Sequence, residues 1–119
     1  MAKILVYGSH GNEAPERATL AFIAGNTALA SDHETVVFLT IEGVRLATKG
    51  YADDIHEEGY APVRELIEDC IAGGGVLIAC AACCKPRGIT EADLIEGAEI
   101  AGAARLVEYL ANGYAPFAA

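Results

Sequence analysis

Three short, nearly unbroken apolar runs stand out in this chain: Lys3-Ile4-Leu5-Val6-Tyr7, Thr35-Val36-Val37-Phe38-Leu39-Thr40-Ile41 and Val76-Leu77-Ile78-Ala79-Cys80. A strand without polar alternation has to be covered on both faces, and between these runs apolar residues recur at helical spacing. Strands alternating with helices predict an α/β domain built on a mainly parallel sheet. In such sheets ligands sit in the crevice outside the carboxyl ends of the strands. The loop at residues 8–12 and the loop at residues 80–88 are therefore expected to meet there.

The 119 residues suit a single domain, residues 1–119, with no linker, repeat or low-complexity tract to divide it. Hydrophobic residues make up 53% and charged residues 21%, enough apolar surface for a core and too little charge for disorder. The formal charge of −9 argues against nucleic acid as a direct partner, because holding phosphates requires clustered Lys and Arg. No apolar run approaches the ~20 residues that span a bilayer, so the expected setting is the cytoplasm, with no membrane partner. Cys80, Cys83 and Cys84 crowd into five residues, which points to chemistry rather than to a disulfide framework.

Glu13 to Ala30 reads as a long helix with Pro15 in its first turn, closed by Ser31-Asp32-His33, where His33 is expected to be solvated. Its small residues Ala18, Ala21, Ala24, Gly25 and Ala28 suit close packing on a sheet. Val44 to Thr48 allows a short helix at most, and the acidic stretch from Gly50 to Gly59 reads as a surface loop. From Pro62, residues Val63, Leu66, Ile67, Cys70 and Ile71 form one apolar stripe, stopped by Gly73-Gly74-Gly75. Cys70 lies on that stripe and reads as a packing residue. Thr90-Glu91-Ala92-Asp93 resembles a capping box ahead of Leu94 and Ile95, and Ala98 to Ile100 allows a brief fourth strand. Glu99 to Leu110 reads as the last helix, followed by the apolar tail Gly113-Tyr114-Ala115-Pro116-Phe117.

The segment Cys80-Ala81-Ala82-Cys83-Cys84-Lys85-Pro86-Arg87-Gly88 carries the sharpest chemical signal. A thiol leaving a buried strand for a helix start faces unpaired backbone N–H groups, and Lys85 and Arg87 add positive charge. The expected direction is a lowered thiol pKa. Cys80, Cys83 and Cys84 are the candidate catalytic residues. Persulfide carriage, disulfide exchange between Cys80 and Cys83, and nucleophilic catalysis with His10 as base beside Asn12 all use such a thiolate. Zinc would need a remote fourth ligand, His10 or Cys70, and no metal or cofactor is expected. Ser9, His10 and Asn12, together with Lys85 and Arg87, are candidate substrate-binding residues for a small anion. The first loop lacks both phosphate-binding fingerprints, so its other reading is turn and capping duty. His56 sits among Asp53, Asp54, Glu57 and Glu58, an acidic solvated loop more than a metal site.

With Cys80 followed by Arg87-Gly88-Ile89, with Pro15-Glu16-Arg17-Ala18 and Thr27-Ala28-Leu29-Ala30-Ser31 bounding the first helix, and with Val37-Phe38-Leu39 running to Gly43-Val44, the chain resembles the DsrE/DsrF family of TusD-like and YchN-like sulfur-relay proteins. The resemblance covers nearly the whole chain. It implies a Rossmann-like three-layer sandwich with four to five strands, assembled as homotrimers or homohexamers. It also implies a loop cysteine, here Cys80, that accepts sulfane sulfur as a persulfide from a donor protein and passes it to an acceptor. Cys83 and Cys84 depart from a single-cysteine carrier and offer resolving thiols. The chain's early end after its last helix leaves room only for a short final strand, or none. A non-catalytic anion-binding module and a dithiol redox protein are the other functional classes these residues allow.

Overall fold

The computed structural model describes residues 1–119 and contains a five-stranded sheet in the order β4-β3-β2-β1-β5, with every pairing parallel. The strands are β1 (Lys3–Gly8), β2 (Glu34–Leu39), β3 (Val76–Cys80), β4 (Ala98–Ala101) and β5 (Ala115–Ala118). The helices are α1 (Pro15–Ala30), α2 (Val63–Ala72), the single turn α3 (Ala81–Cys84) and α4 (Ala103–Ala111). The chain steps from β1 through β4 in one direction across the sheet and then returns to the far side of β1. Right-handed crossovers consequently place α1 and α2 on one face, and α4 on the other as it crosses from edge to edge. This is the Rossmann-like three-layer α/β arrangement expected, with the sheet fully parallel.

The core follows from the apolar runs. Leu5, Val6, Val36, Val37, Phe38, Leu39, Leu77 and Ile78 are all buried at 1% exposure or less. Gly25 lets α1 lie close to β2, since a Cβ there would sit 3.1 Å from Val37 Cγ2. Cys70 packs as expected from its stripe position: it is buried, its thiol is pushed up to about 11 by burial, and it lies against Gly75. His33 is partly exposed and accepts a hydrogen bond at Nδ1 from the Ala2 amide at 2.8 Å.

Several boundaries differ from the sequence reading. The second apolar run ends as a strand at Leu39, because Ile41 turns into the left-handed region (φ 52°) and opens a 3-10 helix, Ile41–Ala47. The acidic loop holds a further 3-10 turn, Tyr51–Asp54, and buries Ala52 and Ile55. The Thr90–Asp93 capping box forms, yet it starts only a 3-10 turn over Glu91–Asp93. Leu94 leaves that turn to make an antiparallel bridge with Thr48, which replaces the expected helix through Leu94 and Ile95. Glu99 and Ile100 belong to β4, so the last helix starts at Ala103. The apolar tail is a strand: β5 pairs with β1 along Ile4–Ala115 to Tyr7–Ala118, and the Ala119 amide donates to the Tyr7 carbonyl at 3.1 Å. Amides alternate in direction along a strand, so Pro116, one residue out of phase with the bonded Phe117 and Ala119 positions, has its missing N–H on the outer edge. No helix is long and apolar enough to cross a membrane.

Candidate functional site

Cys80 is the last residue of β3 and the N-cap of α3, where the chain changes from extended (φ −63°, ψ 123°) to helical backbone. A strand buried between two layers delivers this thiol to the carboxyl end of the sheet, 8% exposed. α3 lasts one turn, then Lys85–Arg87 continues as a 3-10 turn that Gly88 ends at φ 68°. Pro86 and this left-handed Gly keep the cysteine loop short. Cys83 is half-buried on α3, whereas Cys84 is sealed at 2% exposure. Burial, followed by the nearby Cys80 and Cys83 thiols, raises the Cys84 pKa; the Arg87 charge opposes that rise without reversing it. For Cys84, desolvation outweighs a cation that is already engaged.

Arg87 is anchored twice. Its Nη1 donates to the Cys83 carbonyl and its Nε to Glu42 Oε1, both at 3.0 Å. Glu42 also receives Arg45 Nε on Oε2 at 2.8 Å. The two guanidiniums, Arg87 first, hold the Glu42 carboxyl below its usual range. Lys85 is exposed beside this network.

The first loop turns inward on itself. Glu13 accepts the Gly11 amide at 2.5 Å and pairs with His10 Nδ1 at 2.8 Å, and the Asn12 amide donates to the Tyr51 hydroxyl at 2.9 Å. Partial desolvation would raise the Glu13 pKa, but the bonds from His10 and Gly11 leave it lowered. A carboxylate of the chain itself thus takes the amide that was expected to hold an external anion. The two loops do not meet across an open crevice, because β2 lies between β1 and β3 and sends Ile41–Ala47 between them. Gly43 of that segment lies against the Gly8 carbonyl, and Glu42 reaches Arg87.

A sequence model of the DsrE/DsrF-like family matches residues 2–118. The chain belongs to the DsrE/DsrF-like family. It is 40% identical over 102 residues to an uncharacterized protein of Methanopyrus kandleri, covering 83% of this chain and 81% of that one. An uncharacterized protein of Methanocaldococcus jannaschii is 29% identical over 110 residues, 92% of this chain, and the chain spans only 40% of that protein's length. Among solved structures, the Escherichia coli ychN protein superposes with a TM-score of 0.84 at 21% identity, and a protein of unknown function from Methanobacterium thermoautotrophicum with 0.75 at 16%. Both superpositions cover the whole of each chain.

In this DsrE/DsrF-like chain, then, Cys80, Cys83, Cys84, Lys85 and Arg87 share one loop, whereas Ser9, His10 and Asn12 lie beyond the Ile41–Ala47 segment. His10 is engaged by Glu13 and is not placed beside a cysteine by any hydrogen bond. His56 binds the Tyr60 carbonyl at 2.7 Å, and no group of three or more His, Cys, Asp or Glu side chains is arranged to hold a metal ion. Sequence reasoning missed Glu42, Arg45 and Tyr51. The pair Glu42 and Arg45 has the i, i+3 spacing of a helical ion pair and was open to reading, while its link to Arg87 was not.

Proposed function

We propose that this protein carries sulfane sulfur as a persulfide on Cys80. The observation that carries the reading is the position of Cys80: the end of a buried parallel strand and the cap of a one-turn helix, in a family associated with sulfur relay. The Cys80 thiolate attacks the outer sulfur of a donor persulfide; a new S–S bond forms on Cys80, the donor S–S bond breaks, and the donor leaves as a thiolate. Transfer to an acceptor thiolate repeats the same step in reverse roles. All four cysteines are free thiols, which suits a reducing cytoplasm as the place of action. Arg87 fixes the loop through the Cys83 carbonyl, and exposed Lys85 is the cation available to an approaching anionic group.

Intact mass measurement after incubation with a persulfide donor tests this reading. A reducible gain of about 32 Da per sulfur, mapped to Cys80 and lost in Cys80→Ser, is the expected result. Loss of two hydrogens between Cys80 and Cys83 without retained sulfur would instead mark a dithiol redox protein, a reading favoured by their N-cap and N3 positions on α3. An unchanged mass would leave a binding module.

The same reading includes self-assembly as a homotrimer or homohexamer and contact with donor and acceptor proteins. Its support is the exposed apolar group on α4 and β5: Val107 is 61%, Leu110 37% and Phe117 42% exposed. Sedimentation at micromolar concentration is expected to show trimer or hexamer, and Val107→Glu to shift it toward monomer; monomer alone in the parent protein refutes the assembly.

A further inference from the structure

Two cavities, neither lined by a cysteine, share a wall formed by Thr48 and Lys49. The larger, about 640 Å³, runs between α2 and the segment ahead of β4, over Leu46, Ile67, Ile71 and Ile95. Its volume is that of a small-molecule site, and its surface is mostly apolar. The smaller, about 370 Å³, collects Arg45, Lys49 and Arg87. These are three of only eight basic residues in a chain of net charge −9.

Charge is ordered along the pair. Asp53, Glu68 and Glu96 flank the apolar cavity, where Arg64 is already held by Asp53 at 3.7 Å and Glu68 at 3.4 Å. Beyond the shared wall the sign reverses. The one carboxylate there, Asp93, is committed to the Thr90 amide at 2.8 Å and hydroxyl at 3.2 Å. Donors remain unspent: Arg45 gives Nε to Glu42, Arg87 gives Nε and Nη1 to Glu42 and Cys83, and Lys49 Nζ gives a bond to the Ala92 carbonyl at 3.1 Å. A guanidinium has five N–H groups and an ammonium three, so several of these donors have no protein acceptor.

We propose that the larger cavity binds a soluble amphipathic organic anion, its apolar body over Ile67, Ile71 and Ile95 and its carboxylate-like head at Lys49, on the wall shared with the basic cavity. The acidic flank disfavours a headgroup at the other end and sets the ligand's direction. It also opposes an anionic bilayer, whose surface would meet three carboxylates. No residue of the cysteine loop lines the larger cavity, so the site stands independently of sulfur carriage.

Titration of the full chain with octanoate, followed by amide shifts in ¹H–¹⁵N spectra, tests the proposal. Saturable shifts are expected at residues 46–50, 67–72 and 95–97, weakening by about two- to fourfold per methylene removed from the acid. Lys49→Ala is expected to weaken octanoate about tenfold while leaving 1-octanol unchanged. Ala72→Glu, at an exposed position on the rim, is expected to abolish binding of both probes with the dispersion of the spectrum intact. Cys80→Ser is expected to keep octanoate binding even where it loses sulfur loading. Equal affinity for octanoate and octanol, shifts confined to the cysteine loop, no saturation in the millimolar range, or co-sedimentation with phosphatidylglycerol vesicles would each overturn it.

Discussion

Glu42 joins stretches of chain that lie 45 residues apart, taking Arg45 on one carboxylate oxygen and Arg87 on the other. Since Arg87 also holds the Cys83 carbonyl, this carboxylate positions the thiol loop without belonging to it. Its folded pKa lies below the ordinary value of 4.5, chiefly through Arg87 and then Arg45. A depressed carboxyl contributes stability that is complete above the unfolded pKa and is lost as pH falls through the folded one. Urea midpoints measured from pH 6 to pH 3 should therefore drop more steeply in the parent protein than in Glu42→Gln, with the two curves converging at the acid end. The individual residues of the loop were visible in the sequence, because thiols, cations and a following Pro are local signals. The clamp on Arg87 was not, because nothing local distinguishes Glu42 from the other acids of an acidic chain.

Among the elements, Ile41–Ala47 decides how the carboxyl end of the sheet is filled. It begins with a β-branched residue at φ 52°, a conformation that costs about 1–2 kcal/mol for most side chains, and it brings Gly43 against the Gly8 carbonyl. A Cβ at Gly43 has no room beside that backbone, so Gly43→Ala should destabilise by about 2–4 kcal/mol, read by chemical denaturation, and raise the exchange rate of the amides in residues 8–12. β1, β2 and β3 were legible as apolar runs, and α2 as a stripe, because burial on both faces or on one leaves a regular pattern. The Ile41 turn escaped because propensity favours extending a strand through Thr40 and Ile41; close packing against β1 overrides it. Leu94 and Ile95 were misplaced for a similar reason: the capping box was real, but the pairing of Leu94 with Thr48 lies 46 positions away in the chain.

Across the whole molecule, the return of α4 from one sheet edge to the other gives β1 a neighbour on each side and leaves β4 and β5 as the outer strands. β5 was not legible in Ala115-Pro116-Phe117-Ala118, since four residues with a proline carry little strand character; only the open side of β1 makes them one. An unprotected outer strand is a template on which further chains can align backbone to backbone. Pro116 removes an outward donor from the middle of β5, so this edge is a poor template for lengthening the sheet. Pro116→Val should preserve the fold yet increase thioflavin-positive material on prolonged incubation at high concentration; equal behaviour of the two proteins would refute this role. One ring in a four-residue strand thereby interrupts the edge along which an endless fibre would grow.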